Sequence, residues 1–271
     1  MMTESEMKQL LQQDGKKVEA ALQELLPDDA ISALQRTSVV EAMRYSLEAG
    51  GKRIRPVLVL EFCKMFGGTE EQAMPAAAAI EMIHTFSLIH DDLPAMDDDD
   101  MRRGRPSCHK AFPEALAILA GDAMSIHAFS VLANSTALSD AQKVRLIAEL
   151  AEESGHHGMI AGQVLDVTVD QLKTMCAFKT GALIRVACRM GCIAANATAE
   201  QIKAADTYGS YLGLAFQIVD DILDVTSTTD VLGKPVGSDA EENKVTFVTL
   251  LGLEAAQKEA AALTEKAMAM L

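Results

Sequence analysis

Apolar positions recur at three- and four-residue intervals through most of the chain, and no stretch sustains the alternation expected of a strand. The pattern predicts a first helix over residues 4–26, stopped by Pro27, and a second, capped by Asp28 or Asp29, that runs to about Ala49 and closes at Gly50-Gly51. Lys52-Arg53-Ile54-Arg55-Pro56 opens a third helix reaching Phe66, and Gly67-Gly68 ends it. Thr69 with Gln72 makes a capping box for a fourth helix, whose apolar pattern passes Pro75 and continues to His90. Pro106 and Pro113 bracket a connection into a helix over 114–134. Ser139 with Gln142 opens a long helix through Glu149 and Gly158 to about Leu172, and another spans Leu172 to Asn196. Thr198 with Gln201 begins a helix ending near Val225. A polar loop over 227–239 then leads to helices over 240–251 and from Glu254 to the end. The patch Val164 to Val169 comes nearest to a strand and reads as helix. Several helices are long and each needs an apolar partner, which predicts an all-α, single-domain bundle of about ten helices.

Composition agrees with a helical reading. Apolar residues make up 49% of the 271 positions and aromatics 4%, with no Trp and 15 Met, and the strong helix formers Ala, Leu, Met, Glu and Lys dominate. Nothing in the middle reads as a linker, so one domain over 1–271 is expected. A net charge of −15 argues against nucleic acid and anionic membrane surfaces as partners, and makes each local group of bases informative. The five cysteines (Cys63, Cys108, Cys176, Cys188, Cys192) form no CxxC pair and point to a reducing, cytoplasmic setting. Cys188 and Cys192, one helical turn apart, read as a metal pair or, by preference, as two buried small residues. No apolar run reaches the length and purity of a membrane span, and the polar, acidic start is not a targeting peptide, so no stable membrane insertion is expected.

The densest chemistry lies just beyond the fourth helix, in His90-Asp91-Asp92-Leu93-Pro94-Ala95-Met96-Asp97-Asp98-Asp99-Asp100-Met101-Arg102-Arg103-Gly104-Arg105, where six carboxylates occupy ten positions. Such crowding is repulsive unless water or cations screen it, and an isolated acidic run is ordinarily a solvated loop. Here the run begins where an apolar helix ends, so its first aspartates are held on a rigid element, which favours a site for a hard cation such as Mg²⁺. Asp91 and Asp97 would lie about 120° apart around an ideal helix, so the helix must bulge or break near Pro94 for both to reach the same ions.

A second acidic group, Asp220, Asp221 and Asp224, ends another apolar run, and its spacing lets the three project toward one centre. Two such groups far apart in sequence suggest a cavity with apolar walls and a metal-lined mouth. Lys52, Arg53 and Arg55 bunch at a helix start, where unpaired N–H groups also favour an anion. Arg102, Arg103 and Arg105 form a second basic group. Ordinary surface salt bridging is the plain alternative for both. His84, on the same helix as Asp91, reads as a satisfied core residue or, given the nearby acids and bases, as a ligand group.

Together these residues resemble the trans-isoprenyl diphosphate synthases, the farnesyl and geranylgeranyl diphosphate synthase family. The matching stretches are Gly51-Lys52-Arg53-Ile54-Arg55-Pro56, the aspartate-rich motifs at Asp91 to Asp97 and Asp220 to Asp224, and Arg102-Arg103-Gly104. Lys179-Thr180-Gly181, Gln217, Gly233-Lys234 and Asn243-Lys244 match as well. The resemblance runs from about Glu41 to Leu250, and two extra residues inside the first motif look like the bacterial and plant short-chain branch. Family members usually continue for another helix or so beyond the position of Leu271, so an incomplete C-terminal cover is expected.

The resemblance implies a prenyltransferase that condenses isopentenyl diphosphate with allylic diphosphates, dimethylallyl and geranyl, by Mg²⁺-assisted ionisation. Asp91, Asp97, Asp220, Asp221 and Asp224 would hold three Mg²⁺ ions, with Asp92 beside them in the catalytic set. Lys52, Arg55, His84 and Arg103 would anchor isopentenyl diphosphate. Arg102, Lys179, Thr180, Gln217, Lys234 and Lys244 would serve the allylic side or stabilise the cation. A large residue at the place of Phe86 goes with a short product, which implies farnesyl diphosphate, with geranylgeranyl diphosphate as the alternative, although Phe86 also reads as simple core filling. A homodimer is expected. A non-catalytic family-like subunit would have lost aspartates that this chain keeps, and a terpene cyclase would not need the Lys52 and Arg55 site.

Overall fold

The structure, a computed structural model, describes residues 3–26, 39–168, 172–226 and 245–271. The loop over 227–239 falls outside the described residues, and Lys234 and Lys244 with it. So do residues 27–38, where the second helix was expected to begin. The described elements are helical apart from one two-residue hairpin, and the fold is all-α.

α1 (Glu4–Leu25) starts on a capping box between Thr3 and Glu6. α2 covers Val39–Leu47, and α3 (Ile54–Met65) begins after Arg53, whose left-handed backbone (φ 49°) keeps Lys52 and Arg53 out of the helix they were expected to open. α4 (Glu70–Asp91) starts on the predicted Thr69–Gln72 box and passes straight through Pro75. It is the central helix. Ala73, Ala76, Ala77, Ala78 and Ala79 are fully buried, and these small side chains let α3, α6 (Glu114–Ala133) and α10 (Ala182–Ala194) close around it.

α4 stops at Asp91, as Pro94 requires. After a compact turn, β1 (Met101–Arg102) pairs antiparallel with β2 (Arg105–Pro106), a hairpin too short for any alternation to announce. α5 (Cys108–Ala111) links it to α6. Contrary to the sequence expectation, α6 is long and apolar enough to cross a membrane, the one such helix among the described residues. Its small and apolar positions pack against α4 instead, giving that face a protein partner.

Two predicted long helices are interrupted. The one opened by the Ser139–Gln142 box divides into α7 (Asp140–Ser154) and α8 (Met159–Thr168), because the chain turns back on itself at 155–158. A Cβ on Gly158 would lie 2.0 Å from the Glu153 carbonyl oxygen, so only glycine permits that turn. The helix expected over 172–196 divides into α9 (Leu172–Cys176) and α10, with a π turn at Ala177–Gly181 between them. α11 (Ala199–Thr226) follows the predicted Thr198–Gln201 cap. The helix expected from 240 instead begins at Phe247 in its described part: α12 is Phe247–Leu251, started by a Thr246–Thr249 cap, and α13 is Leu253–Met268. The main core surrounds α4 and α10. A smaller one, built on Ile218, Phe247, Ala256 and Leu263, fastens α12 and α13 to α11.

Candidate active site

The end of α4 and the π turn face each other across a cavity of about 420 Å³. Phe86, Leu88, Met159, Ile160 and Leu183 form its apolar wall, while Arg55, His84, Asp91, Gln163, Lys179 and Thr180 supply polar groups. Asp97 is exposed and does not line the cavity, but its N–H donates to the Asp91 carbonyl (2.9 Å), so the break near Pro94 folds the two aspartates together along the chain.

Asp91 is largely buried, and burial is the main reason that its carboxyl is pushed up to about 6. Lys179 pulls it down, and Asp97 pushes it further up. Lys179 only partly balances a buried acid that has a second acid nearby, and an oxygen-only donor pair of this kind fits a hard cation. Asp92 differs. It is 2% exposed, takes Arg102 Nε–H at 2.9 Å and a second donor from Nη2 of the same guanidinium, and Arg102 also holds Asp99 at 2.8 Å. Arg102 and Asp92 thus spend their charge on each other and fix the hairpin to the end of α4.

The π turn gives Lys179 and Thr180 their positions. Lys179 Nζ lies 2.6 Å from Asp166 on α8 and 3.8 Å from Asp91. Thr180 Oγ1 donates to Gln217 Oε1 (3.0 Å), Gln217 Nε2 donates to Asp221 Oδ1 (3.0 Å), and Asp221 Oδ2 accepts the Phe247 N–H (2.7 Å). This chain of bonds ties the second aspartate group to the π turn and to the start of α12. Asp221 and Asp224 are buried (5% and 4% exposed), and Asp220 is half-buried.

The basic group splits. Arg53 is turned inward, 4% exposed, with Nη1 donating to Glu81 (2.5 Å) and Nη2 to the Leu47 carbonyl (2.5 Å). Arg103 reaches the Gly50 carbonyl and covers Gly51, where a Cβ would stand 2.7 Å from its Cζ. Gly51 also has φ 129°, so no other residue fits that contact. Arg55 keeps some exposed surface, yet its Nε is buried without a hydrogen bond. Burial pulls the guanidinium down to about 10, opposed by Glu81 and reinforced by Arg103. His84, half-buried beside these arginines, is held well below its ordinary value, first by desolvation and then by Arg55 and Arg103, which favours the neutral ring. Lys52 stands apart: it is exposed and lines a separate cleft with Lys8 and Lys16 of α1.

Three residues of this region were not singled out from the sequence. Gln163 and Asp166, three apart on α8, face the cavity or its lysine, and the only sequence signal was two polar residues on an otherwise apolar helix. Glu81, an acid inside the run Ala76 to Ile83, was the third.

The polyprenyl synthetase family model matches residues 36–269. The farnesyl diphosphate synthase of Escherichia coli strain K12 is 49% identical over 243 residues, covering 86% of this chain and 81% of that protein. The chloroplastic geranylgeranyl pyrophosphate synthase 7 of Arabidopsis thaliana is 48% identical over 237 residues, covering 84% and 68%. Among solved structures, an apo FPP/GFPP synthase from Zymomonas mobilis superposes with a TM-score of 0.84 at 37% identity, covering 97% of this chain and 91% of that one. With an all-α bundle that carries two aspartate groups beside one apolar cavity, and with these relatives, the chain belongs to the polyprenyl synthetase family and is a short-chain trans-prenyl diphosphate synthase.

Proposed function

We propose that this prenyltransferase condenses isopentenyl diphosphate with dimethylallyl and then geranyl diphosphate, and releases farnesyl diphosphate. The observation that carries the product length is Phe86. Its ring stands five residues before Asp91, about 7.5 Å down the helix axis, lines the cavity, and packs edge-on against His90 with centroids 5.8 Å apart. A growing chain that starts at the aspartates and enters the cavity meets that ring as a floor. The geranylgeranyl alternative draws support from the plant relatives.

The family uses Mg²⁺. In this reading Asp91, Asp97, Asp220, Asp221 and Asp224 would hold three such ions, which would supply positive charge to the departing allylic diphosphate. Lys179 and Thr180 reach the same diphosphate from the π turn, with Gln217 orienting Thr180. Arg102 keeps Asp92 and the hairpin in place beside it. Lys234 and Lys244 join the allylic side. Arg55, His84 and Arg103 hold isopentenyl diphosphate, and neutral His84 can donate a hydrogen bond without adding charge; Lys52, which lines a different cleft, would have to swing across to join them. The apolar wall excludes water from the allylic cation until the double bond of isopentenyl diphosphate adds and a proton leaves to the released diphosphate. The exposed Leu119 and Ile126 on α6 support a homodimer, and five free, buried cysteines suit a cytoplasmic location.

Incubation with dimethylallyl and isopentenyl diphosphates and Mg²⁺, followed by sizing of the products, tests the assignment. Fifteen-carbon product is expected, and Phe86→Ala should shift it to twenty carbons or more with the first condensation intact. A wild-type protein making mainly twenty carbons overturns it. Arg55→Ala should raise KM for isopentenyl diphosphate about tenfold to a hundredfold, the scale of one charge-assisted bond to phosphate of about 1.5–3 kcal/mol, with a much smaller change for the allylic substrate. Equal changes would assign Arg55 to the wrong diphosphate.

A further inference from the structure

A second group of metal-ligating side chains lies outside the cavity. Ligand atoms of Asp98, Asp100 and His109 come within 4.8 Å of one another, the two aspartates from the turn before β1 and the histidine from α5 beyond the hairpin. The geometry follows from the hairpin. Asp98 N–H donates to the Leu93 carbonyl (3.2 Å), Ser107 N–H donates to the Asp100 carbonyl (2.9 Å), and the pairing of Met101 with Pro106 folds α5 back over the acidic turn.

Acidic residues grouped at a surface do not make a site, and the histidine is what distinguishes this group. The His109 side chain is 3% exposed, and its Nε2 is buried without a hydrogen bond, 3.9 Å from Asp98 Oδ1. Its Nδ1 lies 3.1 Å from Ser107 Oγ. With Nδ1–H donated to that hydroxyl, the lone pair on Nε2 points at the two carboxylates with nothing to receive it. A partner that orients the far ring nitrogen is the usual accompaniment of a metal-bound imidazole. Lys110 Nζ, 2.7 Å from Asp100 Oδ1, supplies positive charge to one side of the group.

We propose that Asp98, Asp100 and His109 form a divalent-cation site separate from the Mg²⁺ site of the reaction. One imidazole with two carboxylates and open positions suits Zn²⁺ or another borderline ion, whereas Mg²⁺ prefers oxygen ligands alone. A cation there ties the turn that carries Asp97 to α5, so its occupancy restricts the mobility of a neighbour of the reaction site. The proposal stands apart from the assignment of substrates and product.

The test is a titration of the full chain with Zn²⁺ alone, following the imidazole ¹⁵N resonances of the six histidines, with His109→Gln identifying the signal. The His109 Nε2 resonance should move to the position of a metal-bound nitrogen while Nδ1 remains protonated. The combined Asp98→Asn and Asp100→Asn change should abolish that movement. Ser107→Ala should weaken binding about tenfold through the lost orientation of the ring. Lys110→Ala should strengthen it about threefold by freeing a carboxylate from an exposed ion pair. A His109 ring that stays unmoved when the chain is saturated with Zn²⁺ overturns the proposal. So does a shift that survives loss of both aspartates, which would mean a lone histidine binding the ion. The first of these outcomes is read on the wild-type chain and so does not depend on how any variant folds; for the second, amide resonances that match the wild type away from residues 98–109 show that the variant is folded.

Discussion

Asp91→Asn is expected to lower turnover by at least about a thousandfold, roughly 4 kcal/mol of transition-state stabilisation, while making the metal-free protein more stable at neutral pH. The two effects share one cause. Burial raises the Asp91 carboxyl from 3.8 to about 6, so the folded state binds its proton more tightly than the unfolded chain does. Stability therefore falls as pH rises from below 4 through 6, and above that range the full cost of the buried charge, on the order of 2–3 kcal/mol, is present. Asparagine has no charge to bury and removes that cost. Added Mg²⁺ should reverse the ranking, raising the Tm of the wild type well above its metal-free value and moving the variant little. Thermal melts with and without Mg²⁺, run beside turnover, separate the cases. Near-normal turnover in the variant would reduce the acidic run to a solvated surface, and a fall in metal-free stability would attribute lost activity to the fold.

Asp221 is not equivalent. Its two oxygens already accept Gln217 Nε2–H and the Phe247 N–H, so alanine there would leave the start of α12 without its anchor as well as altering the second aspartate group.

What could be read from the sequence was local. The Thr69–Gln72, Ser139–Gln142 and Thr198–Gln201 boxes form because each closes within one turn, and α4 ends before Pro94 for the same short-range reason. The break at 155–158 and the π turn at Ala177–Gly181 could not be read, because the apolar period runs across both and only packing against other helices selects them. That loss matters for the candidate site, since the π turn positions Lys179 and Thr180. Buried charge was misjudged in a similar way. Arg53 looked like part of a basic group at a helix start, and Glu81 was not singled out, because their pairing joins residues 28 apart in sequence. His109 carried no local signal either, since its neighbours come from the other side of the hairpin.

Glu81→Ala should cost about 3–5 kcal/mol of folding stability, the scale for removing one partner of a buried ion pair. Glu81 is 1% exposed in the middle of α4, and it is the carboxylate that balances Arg53 directly and Arg55 and Arg103 through the field. Without it, Arg53 stays buried with, among the described residues, the Leu47 carbonyl as its close hydrogen-bonding acceptor and Glu19 3.4 Å away, next to two further guanidinium groups. Urea denaturation measures the loss, and a change below about 1 kcal/mol would show that the pair contributes little. Replacing both partners, Glu81→Leu with Arg53→Leu, should recover much of the stability, since apolar residues of similar bulk need no counter-charge. Pyrophosphate adds a further discriminating arm. It brings negative charge to Arg55 and Arg103, so it should stabilise Glu81→Ala by more than it stabilises the wild type. Equal stabilisation would mean that the carboxylate supports Arg53 alone and leaves the diphosphate-binding arginines unaffected.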